Sequence, residues 1–412
     1  MPRHWWPTTR SSWTAPARRA SSSRSCRDLR RRTPPQPGEE RLSADAPRRE
    51  AVMTRIRCSI RRAVKIATIL GLLAAGGAAA AAQAPDPAPE GSFTVVMLPD
   101  TQDYSSGGSP SGQYSGPEVF HAITQWIVDN REAQRITFVT HVGDIVNTAT
   151  NREEWEIARA ALDRLHGVVP YGLCIGNHDM SASSGEKPLF EEFFGADRFK
   201  GFDWYGGSAD NNANSYHLVS VEGVDLLFMN LECNAPDEVL AWADEVLSTH
   251  PDRRAIITTH MWLGPVTEWG DFSYNAIGKG RMQWSKCHRA DGRGNSPQAM
   301  WDEVVRFHPN VMMVLCGDQR STQAMRMQTM GEEDNIVHEM LSDIRDGYIR
   351  LLRFYPAQNR VDVMTFSPTL GMFCDGTEAT MSAPRQPIGI VTDITQHQFT
   401  LSVNLNGPVR GR

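Results

Sequence analysis

From residue 93 to residue 316 the chain alternates short, nearly continuous apolar runs with longer stretches that are apolar on one face. The runs are FTVVMLP (93–99), ITFVTHV (136–142), VPYGLCI (169–175), VDLLFMNLE (224–232), AIITTH (255–260) and VMMVLC (311–316). Strands that are apolar throughout are buried on both faces, which requires sheets covered by helices. VFHAITQWIVDN (119–130), EEWEIARAALDRL (153–165) and helices near 236–248 and 297–307 supply the cover. Toward the end strand follows strand, in YIRLLRFYP (348–356), RVDVMTFSP (360–368) and QFTLSVNL (398–405), adding an antiparallel contribution. The fold class is α/β, a layered sandwich rather than a barrel.

Polar residues stand at the carboxyl ends of the buried runs. Asp100 follows the first, Asp144 the second, Asn177 to Asp179 the third, His260 a later one and Asp318 the last. Such ends open on a common crevice in α/β sheets. A lone aspartate after a strand is ordinarily a turn former or helix cap. A succession of ligand-competent residues at successive strand ends points to a site.

Charge divides the chain. Residues 1–84 hold 17 Lys and Arg against 5 Asp and Glu, leaving 25 against 43 for residues 85–412. The acidic body excludes general affinity for nucleic acid, whose phosphates need Lys and Arg. Residues 1–52, rich in Arg, Ser and Pro, have no hydrophobic period and read as a disordered leader or a misassigned start. From Met53 a basic segment, MTRIRCSIRRAVK, precedes an apolar one, IATILGLLAAGGAAAAA, and then Ala82-Gln83-Ala84. That is the form of a secretory signal peptide over 53–84, cleaved near Ala84, and it predicts a periplasmic or secreted protein. Membrane contact is expected only through this segment, were it left uncleaved. Residues 85–91 form a linker. Five cysteines follow the cleavage point without close spacing, and they suggest neither a disulfide framework nor a zinc knuckle.

Taken together, LPDTQ (98–102), HVGDIVN (141–147), IGNHD (175–179), TTH (258–260) and CGDQR (316–320) resemble the motifs of the calcineurin-like metallophosphoesterases. That family's usual pattern is D-x-H, G-D-x-x-N, G-N-H-D/E, a later His and G-H-x-H, and the match covers roughly residues 93–322. The resemblance implies an α/β/β/α metallophosphatase-type sandwich of two mixed sheets flanked by helices. It would form one domain over 92–412, with 340–412 as its strand-rich completion. It implies divalent transition ions (Mn, Fe or Zn), one or two per chain, and a small phosphoester substrate. Two such ions held ~3.5–4 Å apart clamp a phosphoryl group. By the same resemblance Asp100 serves the first ion, Asp144 bridges both, and Asn177 and His260 serve the second. His178 acts on the leaving oxygen, with Asp179 orienting its ring.

Three positions depart from the pattern: Gln102, Asp318 and Arg320 stand where the family has histidines. Gln102 can offer an amide oxygen or orient Asp100, and Asp318 can ligate. Arg320 cannot, because its guanidinium stays protonated and has no free lone pair. Three centres are compatible with these residues. One has a single ion, with Arg320 replacing the other electrostatically through a fork that suits phosphate oxygens. One has two ions, with Gln102 and water completing the first. The third is catalytically inactive, a ligand-binding or scaffold protein on the same fold.

The segments 181–218 and 261–298 read as long Gly-rich loops bearing Trp204, Tyr205, Trp262, Trp269, Tyr274 and Trp284, placed to carry specificity or to anchor themselves on the core. KCHRADGRG (286–294) reads as an exposed turn. His141 and His338 read as structural.

Overall fold

The computed structural model describes residues 84–107, 116–264, 280–319, 324–374 and 394–407. The leader, residues 53–83 of the signal segment, Trp269, Tyr274 and Arg320 lie outside the described residues.

The chain lays down two mixed sheets. The first begins with β1 (Phe93–Leu98), β2 (Ile136–His141) and β3 (Tyr171–Leu173), which are parallel neighbours in that order. The second follows with β4 (Tyr205–Ala209), β5 (Asn214–Val221), β6 (Val224–Asn230) and β7 (Arg254–Thr258). A separate two-stranded pair, β8 (Leu263–Gly264) and β9 (Gly280–Arg281), precedes β10 (Val311–Cys316), β11 (Ala324–Met330) and β12 (Ile336–Ser342). The second sheet runs β11-β12-β10-β7-β6-β5-β4, with β6, β7, β10 and β12 mutually parallel. The chain then returns to the first sheet. There β13 (Ile349–Tyr355) pairs antiparallel with β1, and β14 (Arg360–Ser367) pairs with β13. Two further strands, β15 (Met372–Phe373) and β16 (Gln398–Ser402), both pair with β14.

Continuous apolarity along the strands is explained by three cores. Along β1, Phe93, Val95 and Met97 face the second sheet, where they join Leu226, Phe228, Ile256, Met313 and Leu315. Val96 and Leu98 face outward into a second core. That outer core is closed by α2 (Pro117–Asp129) and α3 (Arg152–Leu162), which come after one helical turn, α1 (Gln102–Ser105). On the other outer face α5 (Asp237–Thr249) and α6 (Pro297–Glu303), separated in sequence from α3 by α4 (Pro188–Phe194), pack onto β6, β7 and β10. The layers are therefore helix, sheet, sheet, helix. Between the sheets Phe138 and Phe228 stack with centroids 3.8 Å apart. Truncating either ring to alanine would cost about 3–5 kcal/mol.

The helices start where their sequences say they should. Asn151 caps α3, accepting from Glu153 N at 3.2 Å, and Ser296 caps α6, accepting from Ala299 N at 3.1 Å, ahead of Pro297 at the first helical position. On α2 the buried set Val119, Phe120, Ile123, Thr124 and Ile127 recurs at helical spacing and meets the first sheet.

The segment 181–218 differs from the single long loop expected of it, because it holds α4 and the hairpin β4–β5 that forms one edge of the second sheet. Trp204 and Tyr205 pack partly buried against the core there, and Trp262 is fully buried. Residues 85–91 have no regular structure, yet Pro85 O accepts from Gln134 Nε2 at 3.0 Å and Asp86 O from Arg353 at 2.9 Å. Cys174, Cys233, Cys287 and Cys316 are buried free thiols.

Candidate metal centre

The parallel strands of both sheets deliver their carboxyl ends to one seam. Asp100 lies just beyond β1, Asp144 beyond β2, Asn177 to Asp179 beyond β3, His260 beyond β7 and Asp318 beyond β10. Hydrogen bonds cross from sheet to sheet at this end. Thr140 and Thr258 share a hydroxyl contact of 2.8 Å, Asn230 Nδ2 donates to Thr140 Oγ1 at 3.1 Å, and Cys233 N donates to Ile175 O at 2.8 Å.

Asp100, Asp144 and His260, all buried, each offer a donor atom within 4.8 Å of the others, and among the described residues they are the group of acidic, His and Cys side chains so placed. His260 Nδ1–H donates to Val142 O at 2.8 Å, which fixes the tautomer and leaves the Nε2 lone pair facing the acids. That nitrogen is 3.2 Å from Asp144 Oδ1 and 3.5 Å from Asp318 Oδ1, without the alignment of a hydrogen bond to either. Asp100 Oδ1 and Asn177 Oδ1 are likewise buried without a hydrogen-bond partner. Buried polar atoms are nearly always satisfied. Three bare donors at three strand ends, two of them grouped with the Asp144 carboxylate, fit a divalent cation.

The backbone is shaped for this convergence. Asp144 sits at φ 51°, in the left-handed region that a non-glycine residue enters only under constraint. Gly143, at φ 98°, precedes it, and a Cβ there would stand 2.8 Å from both Gly176 N and His260 Nδ1. A Cβ on Gly317 would meet Asp100 Oδ1 at 2.1 Å. His141 is buried beneath the loop. It accepts from Gly143 N at 3.1 Å and donates through Nε2 to Thr101 Oγ1 at 2.9 Å, while Thr101 in turn donates to Ile145 O at 3.2 Å. Burial, then the charge on His260, pushes His141 down to about 3, so it stays neutral.

Electrostatics point the same way. Burial, reinforced by Asp343, pushes the Asp100 carboxyl well above the carboxylate range. Burial opposes a charge on His260, but Asp144 and Asp100 outweigh it and raise its pKa well above the ordinary value. Protons are held where a cation would release them.

Gln102, expected to offer its amide oxygen to an ion or to orient Asp100, donates through Nε2 to Asp144 Oδ2 at 3.1 Å and so orients Asp144. His178 N donates to Asp144 Oδ1 at 2.9 Å, and its ring Nδ1–H donates to Asn147 O at 2.8 Å. The ring is thus oriented by a carbonyl. Asp179, expected to do this, instead accepts from Val146 N at 2.9 Å and Gly176 N at 2.8 Å. Being fully buried, it ties the two motif loops together. Burial, then Asp144, pushes its carboxyl up to about 7. Asp318, expected as a ligand, is in ion-pair contact with Lys286. KCHRADGRG is not an exposed turn at its start, since Cys287 and His288 are buried.

The calcineurin-like phosphoesterase profile matches residues 93–319. The chain belongs to that family. Of curated proteins, "Uncharacterized protein YvnB" of Bacillus subtilis (strain 168) is 33% identical to it over 287 residues, covering 67% of this chain and 20% of that one. The chain therefore spans about a fifth of that relative's length. Among solved structures, purple acid phosphatase PPD1 from yellow lupin superposes with a TM-score of 0.45 at 15% identity, covering 70% of this chain and 54% of that one. A 5'-nucleotidase precursor from Thermus thermophilus gives 0.37 at 12% identity, covering 68% and 52%.

Two site residues escape the motifs. Asp343 lies buried just beyond β12, another parallel strand, and the strand-end rule alone would have found it in HEMLSD. Lys286 had no signal, because the polar segment around it resembles a surface turn.

Proposed function

We propose that the protein is an exported, metal-dependent hydrolase of phosphoric mono- or diesters whose centre is reduced from two ions to one. The observation that carries the hydrolase reading is the grouping of the unsatisfied Asp100 and His260 donors with the Asp144 carboxylate. Asp100, Asp144, Asn177 and His260 would hold a divalent Mn, Fe or Zn ion. When bound it supplies Lewis acidity toward a phosphoryl oxygen.

The chain's own groups do the rest. Asp144 is pinned by Gln102 and by the His178 amide, so its oxygens keep one orientation. With Nδ1–H committed to Asn147 O, the imidazolium form of His178 would give its Nε2 proton to a leaving oxygen and return to the neutral Nδ1–H tautomer. The three lost family histidines, at 102, 318 and 320, support the reduced centre, and the segment 53–84 supports export.

Elemental analysis of the purified protein, with turnover of p-nitrophenyl phosphate and bis-p-nitrophenyl phosphate, tests this. Bound transition metal with turnover of either ester is expected. Metal without turnover of any ester in a broader phosphoester panel would make this a binding or scaffold protein instead.

A further inference from the structure

Lys286 reaches the centre from a segment outside every family motif. Its Nζ is in ion-pair contact with Asp318 Oδ1, the same oxygen that lies 3.5 Å from His260 Nε2. The other Asp318 oxygen accepts from Gln319 Nε2 at 2.7 Å. Asp318 N donates to Asp100 Oδ2 at 3.3 Å, so the aspartate belongs to the same cluster as the cation ligands.

The lysine is placed by the surrounding fold. Lys286 N and Cys287 N both donate to Asn234 Oδ1, at 2.7 and 3.1 Å, and Asn234 Nδ2 donates to Asn295 O at 2.8 Å. Close by in sequence, His288 Nε2 stands 3.2 Å from the buried Glu232 Oε2. Gly185 leaves room for that imidazole, since a Cβ there would overlap the ring at 2.1 Å. With its backbone held in this way, residue 286 has little choice of direction. Its side chain is 22% exposed, so the segment does not bury it completely.

We infer that Lys286 is the permanent second cation of the centre: it takes the carboxylate that another metal ion would need, and it offers an ammonium to a phosphoryl oxygen. A divalent ion bound at Asp318 would have to displace this ammonium or sit against it, and like charges in a poorly solvated cleft repel strongly. Lysine is suited to such a role as a compact point charge with three donors. The sequence had offered Arg320 for this part; Arg320 lies outside the described residues, and Lys286 is the cation in contact with Asp318 among those described. The substrate-facing half of the inference rests on the hydrolase reading.

The test uses the purified, metal-stripped protein titrated with MnCl2, with bound metal counted by elemental analysis. One ion per chain is expected for the wild type and for Lys286→Arg, and close to two for Lys286→Met and Lys286→Gln. Circular dichroism confirms that each variant is folded, and the two neutral variants guard against loss of either. A wild type with two ions, or neutral variants that still take one, would overturn the assignment. With one equivalent of Mn(II) loaded, inorganic phosphate should bind Lys286→Met about tenfold more weakly than wild type, the loss of one charge-assisted contact. Equal affinity would overturn the anion-binding half. Turnover of p-nitrophenyl phosphate on the same samples separates the two claims. One ion without turnover of that or any other phosphoester sinks the hydrolase reading and spares the metal-replacing role, whereas two ions with turnover do the reverse.

Discussion

His260 donates its Nδ1–H to the carbonyl of Val142 at 2.8 Å, so a residue of the second sheet is aimed by the backbone of the first. A ring flip cannot relax this without breaking a buried bond. His260→Ala should therefore cost about 100-fold or more in metal affinity, at least what loss of a supporting partner costs in metal sites generally. Metal content after dialysis against a weak chelator measures it.

Removing the ion should also loosen the fold. A ligand present at a hundred times its Kd stabilises by about 2.7 kcal/mol. Treatment with EDTA should lower the thermal midpoint, and added Mn(II) or Zn(II) should restore it; a midpoint indifferent to both would count against ion binding at this site.

His178 should behave differently from the ligands. His178→Ala is expected to reduce turnover by about 10²–10⁴-fold while metal content stays at the wild-type value. A parallel loss of metal would make the ring, through its bond to Asn147 O, a support for the ligand loops and not a proton donor.

Acid stability follows from His217, buried on β5 at a distance from the motifs, where desolvation lowers its pKa to about 3. The unfolded chain takes up this proton from about pH 6.5 downward, whereas the folded one resists until about pH 3. The stabilisation is complete above pH 6.5 and is lost progressively as pH falls toward 3. Between pH 8 and pH 5 the loss should be about 2 kcal/mol, and His217→Gln should flatten that part of the curve. Urea midpoints at the two pH values read it.

The strand-end residues could be read from sequence because β1, β2, β3, β7 and β10 are apolar over most of their length and stop at polar residues. A buried strand has no other reason to end on Asp or His in succession. The edge hairpin was not legible. β4, Tyr205–Ala209, is mostly small residues, and along β5 the burial is uneven because one end of the sheet is wet. Lys286 was hidden for a different reason. Its position depends on Asn234 and Glu232, some fifty residues earlier, and no local pattern encodes a contact of that range. The role of Asp179 was misjudged on similar grounds, since adjacency to His178 in sequence said nothing of the two amides that claim its oxygens.

Because Asp100 and Asp144 hang from one sheet and His260 from the other, an ion seated among them would rivet the two halves of the sandwich together. Affinity for the ion then becomes a gauge of how well the layers mate. A substitution deep between them, at Phe138 or Phe228, would be felt at the seam as weaker metal retention, though it touches no ligand.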